Sequence, residues 1–277
     1  MDSIFSQMLS RYKVKTSSDK LNATHEVMQQ ITLSALYRAG FFSKAAFYGG
    51  TCLRVFHGLP RFSEDMDFSL LAQDNSFSIE KYFPAIQNEF QSLGRQVQIS
   101  KKEKNQDSQI ESAFLKDSTD LINVAFQTEP SVKIKIEVDK DPPLHFNTEN
   151  KLLLLPFSFM TRCFDIPGLF AGKIHAFLYR NWKNRVKGRD WFDLEWYLRN
   201  GHTPDFVHLK ARALQNGYTG KEEFSPELVV RLMKERINRT SISRVIDDVK
   251  PFIKSPNDFD IWSTEYFLQM VDMIKFS

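Results

Sequence analysis

Two short runs in the first quarter of the chain carry residue types that can do chemistry together, Gly49-Gly50-Thr51 and Asp65-Met66-Asp67. On a strand, residues two apart point the same way, so Asp65 and Asp67 would present two carboxylates on one face while Met66 and Phe68 turn to the core. Mg²⁺ prefers hard oxygen ligands and is commonly held by one or two carboxylates plus substrate phosphates, which an Asp-x-Asp pair can supply. Two glycines just before a helix start let backbone N–H groups approach a phosphate, and Thr51 adds a hydroxyl donor. Taken singly, the Asp pair reads equally as a solvated strand edge and the glycines as an ordinary turn. Their succession is what points to a metal and phosphate site.

Other chemistry-bearing residues follow. In Lys133–Asp139, Ile134, Ile136 and Val138 alternate with Lys133, Lys135, Glu137 and Asp139, which predicts a strand with one buried and one charged face. Glu137 could serve as a third carboxylate. Asp139 shares its face and competes with it, and pairing of Glu137 with Lys135 is the plain alternative. Asp190 and Asp193 stand three apart at the start of a predicted helix, where acids also complement the positive helix end. Between Lys173 and Arg189 lie six cations, Lys173, Arg180, Lys183, Arg185, Lys187 and Arg189, with no acid and with Phe177, Tyr179 and Trp182 interleaved. That composition suits contact with a phosphate backbone and stacking on bases, and equally suits a solvated helix end.

Several site classes find no support. The segment Gly168–Ile174 has three residues between its glycines and Ile174 where a phosphate-binding loop needs Ser or Thr, so it is not a P-loop. The six histidines form no HxH or HExxH spacing, and no Gly-x-Ser-x-Gly occurs, which removes zinc and serine hydrolase readings. Cys52 and Cys163, 111 positions apart and without a CxxC, read as reduced buried thiols.

The elements that must position these residues can be read from periodicity. Helical spacing is expected over His25–Gly40, with Gly40 as its stop, and a short strand over Ala45–Tyr48. A helix from Cys52 to His57 capped by Thr51 comes next, then a strand over Asp65–Leu71, a helix over Ser78–Leu93 and a strand over Val97–Lys101. Gln109–Phe126 reads mostly as strand. From Pro167 onward only helical signals remain, over 168–182, 190–199, 205–215, 226–238, 242–253 and 258–274. This shift predicts an α+β protein with a mixed-sheet domain over 1–160 and a helical domain over 161–277.

Composition is that of an ordinary globular protein. Of 277 residues, 42% are hydrophobic and 26% charged, which sets aside disordered and collagen-like classes. The net charge of +3 is uneven: residues 1–160 carry 18 Lys/Arg against 19 Asp/Glu, net −1, and residues 161–277 carry 19 against 15, net +4. An anion-binding surface is expected in the second half. The most apolar run, Leu152–Phe157, falls far short of the ~20 residues of a membrane span, so no membrane association is expected. The start lacks the basic and apolar regions of an export signal, which predicts a cytoplasmic protein.

The run Gly49-Gly50-Thr51 with Arg61-Phe62-Ser63-Glu64-Asp65-Met66-Asp67-Phe68 resembles the AbiEii/AbiGii-type toxins, nucleotidyltransferase-like proteins of bacterial type IV toxin–antitoxin and abortive-infection systems. Ala171-Gly172-Lys173-Ile174-His175-Ala176 and Lys187-Gly188-Arg189-Asp190-Trp191-Phe192-Asp193-Leu194 are similar to that family's third and fourth motifs, with Glu137 standing for the second. The likeness spans residues 49–194 and does not reach the last ~80 residues. It implies a nucleotidyltransferase-like fold and a triphosphate held by Gly49, Gly50, Thr51, Arg54 and Lys173. It also implies Mg²⁺ or Mn²⁺ at Asp65 and Asp67 with Glu137, and Asp190 orienting Lys173 or accepting a proton; Asp193 would support the helix or a neighbouring basic residue.

The activity so implied is transfer of a nucleoside monophosphate from an NTP to RNA, with the 3′ end of a tRNA as the acceptor, and toxicity countered by a cognate antitoxin. Arg180, Lys183, Arg185, Lys187 and Arg189 would meet the RNA. A glycosyltransferase using a metal–nucleotide-sugar would explain the aspartates but leave Gly49-Gly50-Thr51 idle. A nucleotide- or RNA-binding protein of the same fold without turnover is the non-enzymatic rival.

Overall fold

The structure is a computed structural model, and it describes residues 3–101, 119–127, 132–143, 145–180, 186–220, 222–253 and 259–277. The chain packs as two units, one of 1–57, 63–142 and 148–163, the other of 58–62, 143–147 and 164–277.

In the first unit, helix α1 (Ile4–Ser10) is followed by α2 (Ser17–Arg38), whose start lies eight residues before the expected one. A capping box explains the extension. Thr16 accepts from the Asp19 N–H and the Asp19 carboxylate accepts from the Thr16 N–H, so the first polar turns are held by their cap and not by apolar spacing. Gly40, at φ +71°, ends the helix as expected. Strand β1 (Ala45–Tyr48) runs straight into α3 (Gly49–His57), so Gly49 and Gly50 form its first turn and Thr51 lies inside the helix, not at its cap. Strand β2 (Asp65–Leu70), helix α4 (Phe83–Ser92) behind a 3-10 turn at Ile79–Tyr82, and strands β3 (Val97–Lys101), β4 (Thr119–Phe126) and β5 (Lys133–Asp139) fall where periodicity placed them. Residues 109–118 of the strand expected over 109–126 lie outside the described residues.

Two strands escape the periodicity, β6 (Thr148–Leu153) and β7 (Phe159–Phe164). β6 has no clean apolar face, and β7 hides Phe159, Thr161 and Cys163 while presenting Met160 and Arg162. Together the strands form a seven-stranded mixed sheet in the order β3-β4-β5-β2-β1-β7-β6. β1 pairs antiparallel with β2, and β2 pairs parallel with β5. The buried face is aromatic and branched. Phe47, Met66, Phe68, Ile134, Ile136 and Val138 are inaccessible, with the Phe68 ring 5.0 Å from those of Phe41 and Phe47. Burying each of the larger side chains stabilises the unit by about 1.5–3 kcal/mol.

The second unit is helical: α5 (Ile166–Tyr179), α6 (Gly188–Arg199), α7 (Phe206–Gln215), α8 (Pro226–Arg239), α9 (Ile242–Val249) and α10 (Thr264–Asp272). Asp165, Asp205, Ser225 and Ser263 each accept a backbone N–H at a helix start, which sets where α5, α7, α8 and α10 begin. The helix expected over 242–253 stops at Val249, where Lys250–Phe252 tighten into a 3-10 turn around Pro251. Phe170 stacks on Tyr197 at 4.3 Å, and Trp191 meets Phe177 and Phe267 at 5.0 and 4.9 Å. No helix among the described residues is long and apolar enough to cross a membrane.

Candidate active site

Asp65 and Asp67 stand partly exposed on one face of β2, with Met66 and Phe68 inaccessible on the other. The parallel register of β2 and β5 places Asp65 beside Lys135 and Asp67 beside Glu137. All four side chains therefore belong to one face. Lys135 is ion-paired with Glu137. Burial opposes the charge on Lys135, yet Glu137, Asp65 and Asp67 outweigh it and hold its pKa above the usual lysine value. Asp139 lies one residue pair further on, opposite Ser69, and its carboxylate accepts the Asp141 N–H at 3.0 Å.

Gly49 has a steric role beside Asp67 that its place in the sequence does not announce. Gly49 has φ +81°, and a Cβ built on it would fall 2.2 Å from Asp67 Oδ2. The Asp67 carboxylate thus fills the space that a side chain at 49 would need. Gly49→Ala is expected to lose about 1–2 kcal/mol to the left-handed backbone alone and, by displacing Asp67, to lower NTP-dependent transfer more than about tenfold. Gly58→Ala is the control, because Gly58 has φ +75° with nothing within 4 Å of its Cβ position. Thermal unfolding and transfer rates of both variants check this, and equal activities would separate Gly49 from the site.

The hydroxyl of Thr51, expected as a phosphate donor, donates instead to the Asp65 carbonyl, and the side chain is inaccessible. It ties α3 to the start of β2. Arg54, expected at the triphosphate, directs Nε and Nη2 to the two carboxylate oxygens of Glu26 on α2, at 2.5 and 3.2 Å. Both residues act on the scaffold that carries the aspartates.

Among the described residues, no three or more His, Cys, Asp or Glu side chains gather as a ready-made metal cage. The donor set nevertheless suits magnesium. Asp65 and Asp67 offer hard oxygens on a face already holding an ammonium group, and Mg²⁺ needs only one or two carboxylates when waters and phosphates complete its shell.

The second unit holds a buried cluster of charges. Arg61 Nε and Nη2 donate to both oxygens of Asp193 at 2.6 Å each, and Nη1 donates to the Phe62 carbonyl at 2.9 Å. Lys173 Nζ lies 2.8 Å from Asp190 Oδ1 and 2.7 Å from Asp193 Oδ2, and Arg180 reaches to 3.8 Å from Asp190. Burial alone would raise the pKa of Asp190, but Lys173, Arg180 and Arg61 hold it well below the usual carboxylate range. Asp193 is lowered against its burial by Arg61 and Lys173. An acid held so firmly ionised is a poor proton acceptor at neutral pH, so this geometry favours Asp190 as the residue that orients Lys173. Asp193 supports two neighbouring cations. Arg61, to which sequence reasoning gave no role, is the second of them, and the only sign of it was its place in the run before Asp65.

Of the basic stretch, Arg180, Lys187 and Arg189 are described, while Lys183 and Arg185 lie outside the described residues. Although the stretch contains no acid, Asp190 comes back beside Arg180, and the Arg189 guanidinium stacks 4.3 Å over the Phe252 ring. Part of its charge is therefore balanced by the fold.

Residues 31–269 match the family described as nucleotidyl transferase AbiEii toxin of a type IV toxin–antitoxin system. No curated protein matches the chain. The fold is similar to the crystal structure of JHP933 from Helicobacter pylori, with a TM-score of 0.51 and 17% identity over 90% of this chain and 88% of that one. A second H. pylori structure, of a candidate nucleotidyltransferase, aligns with a TM-score of 0.48 and 18% identity over 89% of each chain.

Proposed function

This chain belongs to the AbiEii nucleotidyl transferase toxin family of type IV toxin–antitoxin systems, and on that premise we propose that it transfers the nucleoside monophosphate of an NTP to an RNA hydroxyl, with the 3′ end of a tRNA as acceptor. The observation that carries the reading is the pairing of Asp65 and Asp67 on one face of β2, with Asp67 seated against Gly49 at the first turn of α3. In this proposal the acceptor oxygen forms a bond to the α-phosphorus and gives its proton to solvent water. The bond from that phosphorus to the β-bridging oxygen breaks, and pyrophosphate leaves with the electron pair.

Asp65 and Asp67 hold Mg²⁺ or Mn²⁺, which when bound supplies positive charge to the phosphate oxygens. Backbone N–H groups of the first turn of α3 face the phosphates with the positive end of the helix behind them. Lys173, oriented by Asp190, binds phosphate. Family membership implies an antitoxin partner.

The test is incubation of the purified protein with each labelled NTP, Mg²⁺ and total RNA. Label in RNA with matching pyrophosphate release supports the proposal; label on another acceptor overturns the RNA assignment, and no transfer by folded protein overturns the activity. A companion measurement addresses the basic stretch. RNA affinity is expected to fall by roughly 0.7 log units per decade of salt for each phosphate neutralised, and Lys183→Gln/Arg185→Gln is expected to flatten that slope while NTP binding is unchanged. An unchanged slope would move the acceptor to another surface.

A further inference from the structure

We propose that Lys135 is the internal counterion of the metal site, holding Glu137 while no metal is bound and so limiting how tightly Asp65 and Asp67 take a divalent cation. This rests on the reading that those two aspartates are the metal carboxylates.

The argument begins with register. Parallel pairing sets Lys135 beside Asp65 and Glu137 beside Asp67, and strands in a sheet lie about 4.8 Å apart. Lys135 and Glu137 are two apart on β5, so they share the face that carries both aspartates. Lys133, one pleat earlier, is exposed, whereas Lys135 is partly buried and paired to Glu137. The two residue pairs Asp65–Lys135 and Asp67–Glu137 bring three carboxylates together with one ammonium group.

An ammonium group and a divalent metal on the same face repel each other, and while the lysine holds Glu137 that side chain is withheld from acting as a third metal donor. Two carboxylates then remain, the number Mg²⁺ uses when substrate phosphates complete its shell. The expected consequence is weak binding of metal alone and recruitment of metal together with the triphosphate. Removing the lysine charge should relieve the repulsion and release Glu137.

The test uses full-length, nucleotide-free protein titrated with Mn²⁺, free metal being read by its electron paramagnetic resonance signal and folding by circular dichroism. Lys135→Met is expected to bind Mn²⁺ about tenfold or more tightly than wild type, the effect of deleting one nearby positive charge. Lys135→Arg, which keeps the charge, should match wild type, and Asp65→Ala/Asp67→Ala should lose binding. Glu137→Gln, which turns the lysine onto the aspartates, should bind more weakly than wild type. Lys135→Gln serves in place of Lys135→Met if the latter does not fold. Unchanged or weaker binding by the folded Lys135 variants, with loss in the double aspartate variant, overturns the counterion role and leaves the proposed function standing. Wild-type binding by the double aspartate variant overturns both, and absence of binding in every protein also ends the counterion role.

Discussion

Asp65→Ala and Asp67→Ala should each lower NTP-dependent transfer by roughly 10²–10³-fold or more, the worth of one well-placed electrostatic group, and should abolish growth toxicity while the fold persists. The fold persists because neither side chain belongs to the buried face. Met66 and Phe68, the inaccessible residues of β2, remain, and the bond from Thr51 goes to the Asp65 backbone carbonyl, which substitution does not remove. The two positions differ in one respect. The Asp67 carboxylate packs into the space left by Gly49, so Asp67→Ala opens a small gap that Asp65→Ala does not. Asp67→Asn separates shape from charge, since it keeps that packing and removes the anion. It should be nearly as inactive as Asp67→Ala. Steady-state transfer with circular dichroism as the folding control decides the matter, and near-wild-type rates in both folded alanine variants would end the two-carboxylate mechanism.

Asp193→Ala should destabilise the helical unit by about 3–5 kcal/mol, because it leaves the buried Arg61 without its carboxylate, and Arg61→Ala should cost less, because Asp193 keeps Lys173 at 2.7 Å. Arg61 is 3% exposed and Asp193 fully inaccessible, and their two hydrogen bonds of 2.6 Å are the main satisfaction of both groups. The double variant Arg61→Met/Asp193→Leu should recover much of the loss, since it removes both charges and leaves Lys173 balanced by Asp190. Denaturant unfolding of the single and double variants measures this; a double variant no more stable than the worse single one would show that the pair is not coupled.

The same cluster gives a pH dependence of definite sign. Asp190 and Asp193 are both held below the ordinary carboxylate value by Lys173 and Arg61. Their ionised forms therefore contribute stability that is complete above the unfolded-state value of about 4 and is lost as pH falls below it toward the folded values. Acid unfolding monitored for wild type and Asp193→Asn should show a shallower pH dependence in the variant.

What the sequence by itself determined is what short-range periodicity encodes. Alternation over Lys133–Asp139 and the Asp-x-Asp spacing at 65 and 67 already implied which side chains share a face, because the strand period of two holds wherever the strand is placed. The six C-terminal helices were legible for the same reason, with their ends shifting wherever a cap or Pro251 and not apolar spacing set the boundary. The capping box at Thr16 and Asp19 was written in the sequence as well, though polar turns without an apolar stripe concealed it.

Tertiary structure alone decided the partners. Which strand lies beside β2, and in what register, brought Lys135 and Glu137 to the two aspartates across about seventy residues of chain. Packing of β2 against the first turn of α3 made Gly49 a requirement of Asp67 and turned Thr51 from a ligand donor into a strap. Arg54 met Glu26, and Arg61 met Asp193, 132 positions away. A hydrogen bond or ion pair is decided by distances of a few ångströms between side chains whose sequence separation is unconstrained, so no spacing rule within one segment can specify it.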